Sequence, residues 1–263
     1  MDKKQLNYIF NLKGRGKKKD VINTVKWEQD CKKISDELPL PDILPATRRI
    51  IAIGDLHGDW NQTINSLKTA GVIDNDHKWT GGDTVVVQIG DQVDRCRGHH
   101  YKCDDKRATM NDEASDIKIL KFFTKLHAEA QKEGGAVYSL LGNHELMNVL
   151  GDVRYVSYEG LKQFENSEFN GKIIKDGKKA RIKAFERGGE LSNFLGCTRQ
   201  AAIIIGSNLF VHAGIVPELA KKYKVDDINS IIRKWLLKKN KTVEETDSIV
   251  KSSDYSPFWI RYL

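Results

Sequence analysis

The stretch RRIIAIGDLHGD, residues 48–59, decides how the chain is read. Its apolar run Ile50, Ile51, Ala52, Ile53 suits a strand covered on both faces. Behind the run, Gly54 and Gly58 flank Asp55 and His57 in a loop that leaves the strand, and glycine permits a tight turn and close backbone approach there. The same texture recurs downstream. TVVVQIG leads to Asp91, AVYSLLG leads to Asn143, and QAAIIIG turns at GSN into LFVHAG, a predicted hairpin ending at His212. Helical stretches lie between these runs: WNQTINSLKTAGV at 60–72, residues 113–135, and DINSIIRKWLLKKN at 227–240. In the second, Ile117, Leu120, Phe123 and Leu126 recur at helix spacing. Strands alternating with helices predict an α/β sandwich, and polar groups just past strand ends then gather along one sheet edge, where ligands bind.

Outward from this core, residues 1–46 read as a basic leader and linker, closed by the Pro-bearing LPLPDILPATRR, and residues 47–263 as the domain. Residues 1–50 hold twelve Lys or Arg against seven Asp or Glu, so +5 of the net +7 sits there. Such a leader could touch nucleic acid or an anionic surface, but a solvated arm is the favoured reading, because charge runs usually solvate. The first twenty residues lack the apolar core of a signal peptide, and the longest apolar stretch is interrupted by Ser207, Asn208 and His212. Cys31, Cys96, Cys103 and Cys197 form no CxxC pair. The expectation is a soluble cytoplasmic protein with reduced thiols and no membrane partner.

The polar groups behind the strands carry the chemistry. Asp55 and His57 are two residues apart and can face one cation, and Asp91 has two oxygens with which to bridge two. Asn143 offers a neutral oxygen, and His212 a nitrogen. Together they are oxygen and nitrogen donors without thiolate, a set that favours manganese, iron or zinc over a Cys-held structural zinc. Two such ions about 3.5–4 Å apart would clamp a phosphate and generate hydroxide from a bridging water at neutral pH. Arg95 could fork onto phosphate oxygens, and His144 could protonate a leaving alkoxide. Taken singly, each block has a plainer reading: a hydrogen-bonded turn at Asp55 and His57, a surface ion pair at Asp94 and Arg95, a helix cap at Asn143, a structural histidine at His212. Their joint occurrence, each at a strand exit, outweighs those readings.

GDLHG, GDQVDR, GNHE and HAG, in that order, resemble the successive signatures of the calcineurin-like metallophosphoesterases, nearest the serine/threonine phosphoprotein phosphatases. The setting is most similar to the bacterial-type, Shewanella-like branch, through GNHELMNVLGDVRYVS, FVHAGI and the late FWIRY, and the resemblance covers roughly residues 48–263. It implies a fold of two packed mixed β-sheets flanked by helices, a four-layer α-β-β-α sandwich. It also implies two divalent ions, manganese first with iron or zinc as alternatives. Asp55 and His57 would hold the first, Asp91 would bridge, and Asn143 with His212 would hold the second. His144 resembles the proton donor, Asp94 its orienting partner, Arg95 a phosphate clamp and Arg261 a second one.

The sequence departs from the family pattern in three places. Cys96 stands where the family usually has glycine, which requires a backbone angle that a side chain tolerates. HAG replaces HGG. The family places one more metal histidine in a Gly-His pair downstream of the WxR stretch, whereas here the last histidine is His212. The reading is therefore of a fragment or truncation, or of a site where water or another donor stands in, with weaker hold on the second ion. Cys96, His99, His100 and Cys103 could bind a metal by count, but their spacing fits no common zinc module, and residues 96–113 are expected to be a mobile loop bordering the site.

Three functions follow as expectations. The first is hydrolysis of phosphomonoesters, with phosphoserine or phosphothreonine proteins as substrates. The second is a nucleotide or dinucleoside polyphosphate hydrolase on the same scaffold. The third is a non-catalytic phosphate-binding module, favoured by the missing histidine.

Overall fold

The structure, a computed structural model, describes residues 40–239, 244–251 and 254–261. Within it the β-branched runs become short, deeply covered strands. Ile50–Ile53 (β2), Val85–Gln88 (β3) and Ala136–Ser139 (β4) pair in parallel in the order β2-β3-β4, with Ile51 opposite Val86 and Val86 opposite Val137. Every residue of β3 and β4 is buried, as a strand covered on both faces requires. A second sheet, in the order β1-β7-β8, joins Ile43–Leu44 (β1), Ala202–Ile205 (β7) and Asn208–Val211 (β8). β1 runs parallel to β7, and β7 and β8 form the expected antiparallel hairpin. This sheet is mixed, and the first is parallel throughout among the described residues. Within the stretch read as leader and linker, Ile43 and Leu44 thus belong to a sheet, and residues 1–39 lie outside the described residues.

Val85, Val87, Ala136, Tyr138 and Leu140 meet Ile203 and Ile205 in the core between the two sheets. The outer face of the first sheet is covered by α1 (Trp60–Thr69) and α2 (Asp116–Ala130). On α2 the buried stripe is Ile119, Leu120, Phe123, Leu126 and Ala130, whereas Ile117 is only partly buried, against the neighbouring core. Full burial of each large apolar side chain contributes about 1.5–3 kcal/mol, which is what fixes the helix register. The remaining helices are α3 (Asn143–Val149), α4 (Tyr158–Lys162), α5 (Gly177–Phe185), α6 (Glu190–Thr198), α7 (Pro217–Lys222), α8 (Val225–Leu236) and α9 (Glu244–Lys251). α6 and α8 share a second core through Leu195, Phe194, Ile232 and Trp235. Asn229 fastens α8 to β7, its Oδ1 accepting from the backbone N–H of Ala201 at 2.7 Å and Ala202 at 3.1 Å. The result is α/β with two packed sheets between helices, as the resemblance implies. A small hairpin, Ser167–Phe169 (β5) with Lys172–Ile174 (β6), stands outside both sheets. Among the described residues, no helix is long and apolar enough to cross a membrane.

Candidate metal centre

The loops leaving β2, β3 and β4 are tied to one another by backbone before any side chain is considered. The N–H groups of Leu56 and His57 both donate to the carbonyl of Asp91 at 2.9 Å, and Gly58 N–H donates to Gln92 at 2.9 Å. Glu145, fully buried in α3, receives the N–H of Asp91 (2.9 Å), Gln92 (2.8 Å) and Gly142 (2.7 Å). Burial, with the charge of Asp91, pushes the Glu145 carboxyl up, and the N–H groups of Gly142 and Gln92 oppose this. These bonds hold two non-glycine residues in the left-handed region, His57 at φ +46° and Asp91 at +52°, and Asp94 lies there as well at +74°. Such strain costs on the order of 1–3 kcal/mol per residue and persists only where the surroundings over-determine it. A Cβ on Gly142 would collide with the Asp91 carboxylate, so the β3 and β4 exits can approach only with glycine at 142.

The side chains then converge on one oxygen. Asp91 Oδ1 accepts from the backbone N–H of His144 at 2.9 Å. Its Oδ2 faces three imidazoles, with Nε2 of His212 at 3.5 Å, of His57 at 3.7 Å and of His144 at 3.9 Å. Asp55 Oδ2 lies 3.5 Å from His57 Nε2, and Asn143 Oδ1 lies 2.9 Å from His212 Nε2. Two donor groups result, His57 with Asp91 and His144, and Asp55 with Asp91 and His212. Asp91 is common to both. The hydrogen bond from His57, against burial and with help from the charge of His212, holds the half-exposed Asp55 carboxyl below its usual value.

The donor set fits cations. Nδ1 of His57 lies 3.2 Å from the Val93 carbonyl, and Nδ1 of His212 lies 2.8 Å from the Ile89 carbonyl. A carbonyl only accepts, so each Nδ1 carries a hydrogen, and Nε2 is the ring nitrogen that offers a lone pair inward once it gives up its proton. With Nε2 unprotonated, ring nitrogens face carboxylate and amide oxygens, acceptors against acceptors, and a divalent ion reconciles them.

His144 is set apart by its other nitrogen. Nδ1 meets Asp94 Oδ2 at 2.7 Å, with Asp94 fully buried. Burial disfavours its charged form, but the hydrogen bond to Asp94 and the charges of Asp91, Asp94 and Glu145 outweigh that, and its pKa is raised. Arg95 lies over the first loop, its Nη2 3.1 Å from Asp59 Oδ2, while Asp59 Oδ1 caps α1 by accepting from Gln62 N–H at 2.8 Å. The Nε of Arg95 is buried without a protein partner. Arg261 reaches the same edge, its Nη2 3.4 Å from Asn143 Oδ1. All nine residues singled out in the sequence therefore lie in or beside one site.

Two expectations are corrected. Cys96 and Cys103 are joined in a disulfide, Cys197 is also disulfide-bonded, and no described cysteine is free. Pairing depends on approach in space, here 5.6 Å between the Cα atoms of Cys96 and Cys103, and not on a CxxC spacing. The thiol argument for a reducing compartment falls with it. Residues 96–113 are also fastened down: Cys96 N–H donates to Tyr155, and the Asp112 carboxylate accepts from Ser157 Oγ at 2.7 Å and Glu159 N–H at 2.8 Å. Closing the eight-residue loop removes unfolded-state entropy worth roughly 2.5 kcal/mol. Cys96 is not among the residues with positive φ, which is why a side chain is tolerated where the family has glycine.

The sequence reading missed Glu145, Asn148 and Arg181. Glu145 was legible in part, as the buried fourth residue of GNHE. The partners of the other two come from distant segments, and no local pattern marks them.

A model of the family described as calcineurin-like phosphoesterase matches residues 48–259. The chain is 32% identical over 219 residues to Shewanella-like protein phosphatase 2 of Arabidopsis thaliana, covering 72% of this chain and 51% of that protein. It is 41% identical over 152 residues to the uncharacterized protein R398 of Acanthamoeba polyphaga mimivirus, covering 53% of this chain and 60% of that protein. Among solved structures it is similar to the cold-active protein-tyrosine phosphatase of a psychrophilic Shewanella species, with TM-score 0.63 at 24% identity. That match covers 87% of this chain and 61% of the other, and at this identity it speaks for the fold. The chain thus spans about half to three-fifths of the length of these relatives. The matched segment begins at Arg48 and contains all four strand-exit motifs with the residues that converge on Asp91, and on that evidence the chain belongs to the calcineurin-like phosphoesterase family.

Proposed function

We propose that this protein hydrolyses phosphomonoesters, with phosphoserine and phosphothreonine in proteins as its substrates. The observation that carries the reading is the convergence of three imidazole Nε2 atoms on the buried Oδ2 of Asp91, with Arg95 and the Asp94-bound His144 alongside. Asp55, His57, Asp91, Asn143 and His212 would hold two divalent ions, manganese first, with Asp91 shared. Such ions supply Lewis-acid charge for the phosphoryl oxygens and lower the pKa of a coordinated water.

The chain's own groups do the rest. Arg95 leaves its Asp59 partner in part to fork onto phosphoryl oxygens. Arg261 offers a second guanidinium from beside Asn143. His144 gives the proton on Nε2 to the departing ester oxygen, while Asp94 keeps the Nδ1–H in place and stabilises the ring's charge until then. Water and the ester become phosphate and alcohol, with no covalent intermediate on the protein.

The structurally similar Shewanella protein is described as a tyrosine phosphatase, which favours phosphotyrosine as the second reading. The test is a panel of matched phosphoserine, phosphothreonine and phosphotyrosine peptides, run beside ATP and a dinucleoside polyphosphate. The serine and threonine peptides are expected to give the highest kcat/KM. Preference for phosphotyrosine would move the assignment to the second reading. Preference for the nucleotides would overturn both, and release of phosphate from none would reduce the site to a binding module.

A further inference from the structure

Arg181 is the bulkiest of the fully buried side chains described, and its charge is not needed by anything in the mechanism so far. Burying a guanidinium costs several kcal/mol unless its partners are well placed. Here they are. Nη2 meets Asp116 Oδ2 at 2.7 Å and stands 3.5 Å from Asp94 Oδ1, and Nε donates to Asn148 Oδ1 at 2.8 Å. The rings of Phe164 and Phe185 lie beside the guanidinium, 5.5 and 5.0 Å away.

Asn148 carries the connection onward. Its Nδ2 donates to Asp94 Oδ1 and to the His144 carbonyl, both at 2.9 Å. Asp94 Oδ1 is thereby occupied from one side by Asn148 and Arg181, which leaves Oδ2 for His144 Nδ1 at 2.7 Å. The backbone of Asp94, at φ +74°, offers no stiffness of its own and depends on these contacts. Arg181 also offsets the negative charge that Asp94 and Asp116 bring into the buried core beside the imidazole.

We propose that Arg181, acting through Asn148 and Asp94, is a positioning residue for His144. It fixes the Asp94 carboxylate so that the histidine ring keeps Nδ1 on Asp94 and Nε2 toward Asp91. This rests on the reading of His144 as the proton donor. A purely structural arginine would lower stability and slow all substrates alike. A positioning one slows only esters whose leaving oxygen needs a proton.

The experiment measures kcat and KM of the full chain on a phosphoserine peptide and on 4-nitrophenyl phosphate, for Arg181→Lys, Asn148→Ala, His144→Asn and each of the first two combined with the third. Melting curves confirm that each protein is folded at the assay temperature, and Asn148→Ala carries the test if Arg181→Lys does not fold. Loss of an outer partner typically costs about 10–100-fold. That loss is expected in kcat for the peptide, with nitrophenyl turnover within a few-fold of wild type and KM unchanged. Combination with His144→Asn should add nothing to the selectivity, because the residues act in series. Equal slowing of both esters, or full additivity with His144→Asn, overturns the proposal. Selective loss in His144→Asn but not in Arg181→Lys or Asn148→Ala overturns this inference alone, whereas no selectivity in His144→Asn overturns the proton-donor reading and this inference together.

Discussion

Asp91→Asn is expected to lower phosphomonoester turnover by at least about 10³-fold, the equivalent of roughly 4 kcal/mol in the barrier, while leaving the protein folded. The asymmetry comes from the two oxygens of that carboxylate. Oδ1 accepts the His144 N–H, a task an amide oxygen performs equally well. Oδ2 is the shared acceptor toward His57, His144 and His212, and an amide nitrogen there presents hydrogens where two cations are proposed to be held. The substituted amide can donate to an imidazole lone pair, so the melting temperature of the metal-free protein should not fall. Asp94→Asn disturbs only the partner of His144, and losses from such outer groups are typically about 10–100-fold. Kinetics and bound-metal counts on both variants check the ordering. Equal, small losses, or an Asp91→Asn protein that still binds two ions, would remove Asp91 from the shared position.

His144→Asn is expected to separate substrates by their leaving groups. General acid catalysis contributes typically about 10²–10⁴-fold, and that factor should fall on phosphoserine, whose alkoxide is a strong base. A nitrophenolate departs without a proton, so the aryl ester should be slowed far less. Metal content should barely change, because Asn143, and not His144, is the proposed ligand. Equal slowing of both esters, or an emptied metal site, would end the assignment of His144 as proton donor and return it to the ligand group that it shares with His57 and Asp91.

How much of this was legible in the sequence depended on whether a residue's role is set locally. β3 and β4 could be read because VVVQ and AVYS have no polar side to turn outward, and the β7–β8 hairpin because GSN sits between two apolar runs. The converging residues were legible because each lies just past a strand end, where parallel pairing brings successive exits to one edge. β1 escaped notice, since two residues carry no periodicity. The β5–β6 hairpin was passed over although Asn170 and Gly171, both at positive φ, are a strong turn signal. The left-handed backbone at His57 and Asp91 could not be foreseen from those residue types, because it is imposed by backbone bonds between loops 34 or more residues apart. Glu145, Asn148 and Arg181 act through partners distant in the chain, and the disulfide joins two cysteines whose spacing signals nothing.

Phosphoester hydrolysis is expected to depend on divalent ions held by the residues gathered on Asp91. The most direct measurement removes metal with a chelator, counts what remains bound to the full chain, and follows 4-nitrophenyl phosphate turnover as Mn²⁺ is added back. Activity is expected to vanish with the metal and to return in proportion to the ions bound, and Asp91→Asn is expected neither to bind them nor to recover. Undiminished turnover by a chain shown to carry no metal would contradict it.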